Sequence, residues 1–273
     1  GRFKTRRWMG EKPWEGVGTV AVVGVGLIGG SIGMALRAQS LAREVVGVGR
    51  DPANLEIARD RGAIDRFTTD LPQGVAEADV VVVCTPVGRV AEDVRRAAES
   101  APAAALITDA GSTKRAIVQA VEKTPRAAGM FVAAHPLAGS ERSGAAFARA
   151  DLYRDRVCVL TPTTRTDAAR LQRARAFWSG LGCRILEMGP AEHDEVVAFT
   201  SHLPHALAAA LAAAVPADWH PLAAGAFRDV TRVAAADTDL WTAIFRENRG
   251  PLMNAIGKFQ DRLIALKYAL MND

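Results

Sequence analysis

The most constraining stretch of the chain is Gly24-Val25-Gly26-Leu27-Ile28-Gly29, a G-x-G-x-x-G run. It follows a strand-like apolar segment at 19–24 and opens an apolar-periodic helix at 28–39. Glycines at that spacing serve three ends: Gly24 permits a tight turn, Gly26 lets backbone approach a pyrophosphate, and Gly29 lets helix and strand pack closely. The helix N-terminus then offers unpaired N–H groups and a partial positive charge to phosphates. In a strand–turn–helix setting the pattern predicts a dinucleotide site formed by Gly24, Gly26, Leu27, Ile28 and Gly29.

The alternation continues through the first two thirds of the chain. Strands are expected at 45–48, 80–84, 105–109, 131–134, 157–160 and 184–188, and helices at 55–61, 87–100, 114–122 and 166–181. The valine run at 80–83 is the pattern of a strand buried on both faces. Such alternation implies a mainly parallel sheet covered on both sides. Beyond Met188 no strand-like run recurs, and the rest reads as helices with alanine-rich apolar faces. The expected fold is α/β followed by all-α. Residues 1–16 are expected to be a basic, disordered leader, 17–188 a Rossmann-type dinucleotide-binding domain, and 189–273 a helical substrate-binding and dimerisation domain. Long apolar stripes on so small a helical part call for a second copy, so a homodimer through the C-terminal helices is expected.

Composition narrows the function classes. Apolar residues make up 49% and charged residues 23%, which suits a globular chain and argues against disorder. The net charge of +4 (34 basic minus 30 acidic residues) equals the contribution of Arg2, Lys4, Arg6 and Arg7. The remainder is neutral, so no nucleic-acid partner is expected. The longest apolar run, 206–217, is too short to span a bilayer, so no membrane partner is expected either. Cys84, Cys158 and Cys183 show neither paired nor metal-ligand spacing. Free buried thiols, no metal site and a cytoplasmic location follow as expectations.

At the end of the second strand, NAD-binding proteins usually carry an acid for the ribose hydroxyls. Here the residues are Gly49, Arg50 and Asp51. A missing carboxylate beside a guanidinium favours the 2′-phosphate of NADP, whereas Asp51, one position on, would restore the NAD pattern. Thr85-Pro86 closes the valine strand, where the cofactor would run.

Three segments place polar residues in apolar surroundings. They are Asp109-Ala110-Gly111-Ser112-Thr113-Lys114, the run 135–144 opening with His135, and His193-Asp194 followed by Ser201-His202-Leu203-Pro204-His205. Ser112, just before a helix, reads on the residues alone as a cap. His135, directly after an apolar strand, would point into the crevice above the sheet. Four of the five histidines fall in the last two segments, which turns attention from packing to chemistry. Pro204 removes a helical N–H and should loosen the turn beside His205.

Gly-Leu-Ile-Gly-Gly-Ser at 26–31, Asp-x-Gly-Ser-x-Lys at 109–114, His-Pro-x-Ala-Gly-x-Glu-x-Ser-Gly at 135–144, Ser-His-Leu-Pro-His at 201–205, and Phe-Arg-Asp-Val-Thr-Arg at 227–232 with Trp241 form an ordered set. Together they resemble the prephenate/arogenate dehydrogenases of tyrosine biosynthesis, from about residue 20 to the C-terminus. The resemblance implies hydride transfer from ring C4 of a cyclohexadiene to NAD(P), with loss of the C4 hydroxyl proton and of the ring carboxylate as carbon dioxide. It implies that His135 takes the hydroxyl proton, that Ser112 orients it, and that Arg232 grips the ring carboxylate. It implies substrate contacts for His205, His193, Glu141 and Trp241, with Asp229 orienting Arg232 or a neighbouring group. Prephenate is the expected substrate; arogenate, whose ammonium Glu141 would attract, is the alternative. A β-hydroxyacid dehydrogenase would place a lysine on the first helices of the second half, and none occurs between Met188 and Pro251. A dinucleotide-binding redox sensor would explain the glycines but not His135, Ser112 and Arg232 together.

Overall fold

The computed structural model describes residues 14, 16–140 and 142–272. Most of the expected leader and Glu141 therefore lie outside the described residues. The chain divides into two compact units between His193 and Asp194.

The first unit is built on a parallel sheet of β1 (Val17–Val23), β2 (Ala42–Val48), β3 (Arg66–Thr68), β4 (Val80–Val83), β5 (Leu106–Asp109) and β6 (Phe131–Val132), in the order β3-β2-β1-β4-β5-β6. This is the doubly wound order whose strand direction of travel reverses between β1 and β4. All four β4 valines are fully buried, as an unbroken β-branched run in a central strand requires. The helices of this unit are α1 (Leu27–Ala38), α2 (Pro52–Asp60), α3 (Leu71–Val75), α4 (Val87–Ser100), α5 (Arg115–Val121), α6 (Pro125–Met130) and α7 (Ala168–Gly180). Helix α7 brings Phe177 and Trp178 into the core, edge-to-face at 5.5 Å. The Trp178 indole N–H donates to Thr108 Oγ1 at 3.2 Å, so this large side chain buries no unpaired donor. The phenol of Tyr153, also fully buried, donates to the Ile28 carbonyl at 2.7 Å and ties this core to the first turn of α1.

The remaining strands do not join that sheet. The strand expected at 131–134 breaks after Val132, and the chain re-forms as β7 (Ala134–Pro136) in a separate sheet with β8 (Val157–Leu160) and β9 (Arg184–Glu187). Strand β7 runs antiparallel to β8, with His135 opposite Val159, and β8 runs parallel to β9. The physical reason lies at Ala134. Its N–H and carbonyl are claimed by the side chains of Asp109 and Lys114, so its backbone is unavailable to the first sheet.

In the second unit, α8 (Pro190–Val197), which begins just before the division, runs into a π-helical turn (Ala198–His202) and then α9 (Leu203–Ala214). Helices α10 (Gly225–Thr231), α11 (Thr238–Glu247) and α12 (Arg249–Met271) follow, with a 3₁₀ turn at Arg232–Ala235. The buried core is small: Ala198, Leu203, Leu252 and Ala255, flanked by Leu207, Phe245, Ile256 and Phe259. The far half of α12 leaves Leu266, Tyr268 and Leu270 56–71% exposed. The stretch Pro190–Ala214 is long and apolar enough to cross a membrane on length and composition alone. The twelve-residue run counted from the sequence understates it, because the helix continues upstream through the π turn, where residues 198–205 include no Asp, Glu, Lys or Arg. Within the unit, Ala198, Leu203 and Ala208 are buried, and α12 packs against the π turn and α9.

Candidate active site

The turn after β1 opens a cleft of about 540 Å³, lined by 23–26, 48–51, Asn54, Leu55, Thr69, Leu71, 84–86, Arg89, Asp93 and Arg96. It sits at the β1/β4 reversal, where doubly wound sheets bind ligands. Gly24 has φ of +92°, a region that only glycine enters cheaply. A Cβ on Gly29 would stand 2.2 Å from the Gly24 carbonyl oxygen, which is why α1 can start so close beneath the turn. A Cβ on Gly26 would meet nothing within 4 Å: the space beside it is open to a ligand. Thr85 Oγ1, in the same cleft and next to the Gly24 turn, is buried without a hydrogen-bond partner. An open glycine cradle beside an orphaned hydroxyl fits a dinucleotide pyrophosphate.

The expected cofactor residues divide into two groups. Gly24, Gly26, Arg50, Asp51, Thr85 and Pro86 line the cleft, whereas Leu27, Ile28 and Gly29 form the first turn of α1 behind it. Asp51 is the N-cap of α2, accepting the Ala53 N–H at 3.0 Å. Asn54 joins the glycine turn to the rest of the unit, donating to the Val25 carbonyl at 2.7 Å. Sequence reading missed Asn54, Arg89, Asp93 and Arg96. The signal was present, because positions 89, 93 and 96 share one helical face directly after Thr85-Pro86. Arg89 pairs with Asp93 at 3.2 Å.

His135 projects from β7 and is half-buried. Its Nδ1 lies 2.9 Å from Nε2 of His193, which is fully buried on the first turn of α8. The rings meet edge-to-face at 5.1 Å. The contact restrains the orientation of the His135 ring. A histidine expected to contact substrate is thereby placed as the neighbour of the expected base. Ser112 occupies the bend after β5. Its expected capping role is not realised: α5 starts at Arg115, its N-cap is Lys114, and no side chain caps it. Two intervening residues carry the Ser112 hydroxyl past the reach of the first helical N–H groups. The Asp109 and Lys114 side chains that flank this bend are both fully buried and ion-paired.

The second unit gathers a different group. The Pro204 ring follows the π turn, which absorbs the hydrogen bond that proline cannot make. His205 stacks on Trp241 with ring centroids 3.5 Å apart and 21° between planes. Burial against that indole pushes the His205 imidazole below its ordinary pKa, with the Ser201 carbonyl at 2.9 Å offsetting part of the effect. His202 is fully buried, its Nδ1 3.1 Å from Asn248, whose amide also donates to the Asp194 carbonyl at 2.7 Å. Asn248 gave no signal in the sequence beyond being an amide at a helix junction. Arg232 is exposed on the 3₁₀ turn that packs along α9, and Asp229 is exposed on α10 without an ion pair to Arg232. Among the described residues no group of three or more His, Cys, Asp or Glu could hold a metal ion. Cys158 and Cys183 are buried free thiols, and burial pushes the Cys158 thiol upward, away from reactivity.

Residues 32–187 match the family model described as prephenate dehydrogenase, nucleotide-binding domain, and residues 189–273 match its dimerization domain. The chain is 33% identical over 245 residues to a prephenate dehydrogenase of Bacillus subtilis, covering 86% of this chain and 66% of that one. It is 33% identical over 261 residues to a cyclohexadienyl dehydrogenase of Zymomonas mobilis, covering 92% and 88%. Among solved structures, the Aquifex aeolicus prephenate dehydrogenase in complex with hydroxyphenyl propionate and NAD+ matches with a TM-score of 0.86 at 33% identity, over 93% of this chain and 91% of that one. A glycine cradle at the sheet reversal, a histidine pair at the head of the second sheet and both family models lead to one statement: the chain belongs to the prephenate dehydrogenase family of oxidoreductases.

Proposed function

We propose that this chain oxidatively decarboxylates prephenate to 4-hydroxyphenylpyruvate with NADP, as a cytoplasmic homodimer paired through its C-terminal helices. The observation that carries the chemistry is the His135–His193 contact at 2.9 Å, in the same unit as the dinucleotide cleft. A buried imidazole holding a half-buried one in a single orientation makes a base that needs no reorganisation when substrate arrives. When bound, the nicotinamide supplies a hydride acceptor. His135 takes the proton of the C4 hydroxyl, a task suited to a neutral imidazole whose unperturbed pKa is about 6.5. Ser112 orients that hydroxyl, and Arg232 binds the ring carboxylate through its planar fork. His205, whose imidazole burial holds below its ordinary pKa, contacts the substrate side chain by hydrogen bonding. Asp229 and Glu141 complete the substrate contacts.

The choice of NADP rests on three features. Gly49 stands where a ribose-binding acid is usual, and a Cβ there would already crowd Leu55 at 3.2 Å. The Asp51 carboxylate is engaged in capping α2. Arg50, Arg89 and Arg96 all line the cleft, which suits an extra phosphate. The exposed apolar half of α12 and the match to a dimerization domain support the homodimer. The free thiols support a reducing compartment. A second reading, arogenate as substrate, is favoured by the likeness to a Synechocystis arogenate dehydrogenase, at 30% identity and a TM-score of 0.79. The test is kinetic: prephenate or arogenate, each with NAD or NADP, followed at the absorbance of the reduced nicotinamide. The proposal expects prephenate with NADP to exceed every other pair by more than about tenfold in kcat/KM, about 1.4 kcal/mol of discrimination. A preference for NAD would return the ribose to Asp51, and no turnover with any pair would end the assignment.

A further inference from the structure

The ion pair between Asp109 and Lys114 has no role in the chemistry above, yet both side chains are 0% exposed. A buried pair is retained at a desolvation cost that is offset only when its remaining hydrogen-bonding capacity is satisfied. Part of that capacity is directed at one residue, Ala134. Asp109 Oδ1 accepts the Ala134 N–H at 2.9 Å, and Lys114 Nζ donates to the Ala134 carbonyl at 2.8 Å. Asp109 Oδ2, which pairs with Lys114, also accepts the Gly111 N–H at 2.9 Å. The two side chains thus stand in for a strand neighbour at the break between β6 and β7, one residue before His135. The Thr161 N–H, donating to the Ala133 carbonyl at 3.0 Å, secures the other side of the break. Gly111 and Lys114 also bracket the bend that carries Ser112.

We propose that Asp109 and Lys114 are positioning residues, a charged clasp that fixes the backbone at Ala134 and through it the direction in which His135 faces the reacting hydroxyl. The clasp rests on the reading of His135 as proton acceptor. It also explains why a strand that would otherwise continue the parallel sheet turns out of it at this point.

Single substitutions would leave one buried charge unpaired and confuse folding with positioning, so the test uses neutral pairs. Asp109→Asn with Lys114→Met keeps an acceptor for the Ala134 N–H but removes the donor to its carbonyl. Asp109→Asn with Lys114→Gln keeps both. The Met pair is expected to lose kcat by on the order of 10²-fold, the size of effect that a small displacement of a reacting group produces. Its KM, NADP affinity by titration and melting temperature should stay near those of the parent, and the limb of its kcat/KM–pH profile governed by His135 should shift. The Gln pair should recover most of the turnover and the parental profile. Parental kcat and pH profile in the Met pair would overturn the proposal. So would a loss that the Gln pair does not recover and that is matched by lost NADP binding, or failure of both pairs to fold, since either marks a folding element rather than a positioning one. His135→Asn, run alongside, separates the two ideas: turnover surviving in that variant sinks the role of His135, whereas its loss beside a fully active Met pair sinks the clasp alone.

Discussion

The two histidine groups of this protein are held in contrasting ways. His135 and His193 meet in the first unit, where a sheet register, a buried ion pair and a fully buried partner ring restrict the position of His135. His205 and Trp241 meet in the second, on a helix interrupted by a π turn, beside a small buried cluster of Ala198, Leu203, Leu252 and Ala255. Proton transfer tolerates little displacement, whereas recognition of a flexible side chain tolerates more. On the proposed assignment, the difference teaches that the chemistry falls where the chain is over-determined and the recognition where it is adaptable.

Four measurements would break or sharpen that contrast. The largest effect is expected from Trp178→Ala, which empties the closed core of the first unit and should cost about 3–5 kcal/mol of stability. Calorimetric melting should show the loss equally at low and high protein concentration; a concentration-dependent loss would mean that the first unit, too, relies on a partner. Next is His135→Asn, expected to lower kcat by roughly 10²-fold or more while NADP titration is unchanged. Undiminished turnover would remove the base from the over-determined site, and a redox sensor would show no turnover to lose. Arg232→Gln, on the adaptable side, should lower kcat/KM about tenfold, mainly through KM, as loss of a charge-assisted contact to a carboxylate predicts. An effect confined to kcat would instead make Arg232 part of the chemistry. The smallest effect concerns acid. His205 has a lower pKa folded than unfolded, so the unfolded chain takes up the proton first. Its contribution to stability is complete above about pH 6.5 and is lost as the pH falls through the folded-state value. His205→Phe, which keeps an aromatic ring against Trp241, should flatten the fall in melting temperature over that range; an unchanged slope would show that another group governs it.

Much of this was legible in the sequence, and the limits have physical causes. The glycine run and the valine strand announced the parallel sheet because both report strictly local requirements, a turn and a doubly buried face. The break after Val132 was not legible, since nothing local distinguishes Phe131-Val132-Ala133-Ala134 from a continuous strand. Its cause is a pair of charges 25 and 20 residues upstream of Ala134. Ser112 was misread as a cap for a similar reason: the helix begins at Arg115, after Lys114 has turned inward to Asp109. The motifs named the candidate residues of both histidine groups, but the contact of His193 with His135 spans 58 positions and belongs to the fold.

The π turn at Ala198–His202 is, in effect, one residue more than an α-helix over the same span requires. Each helical residue advances the azimuth by about 100°. Deleting a single residue there would heal the turn to regular α-helix and leave everything downstream, His205 included, close to its present azimuth. The π turn is therefore a length buffer: it takes up a residue that would otherwise rotate His205 by about 100° off Trp241. A change of one in chain length is absorbed locally, and the stacked pair keeps its direction.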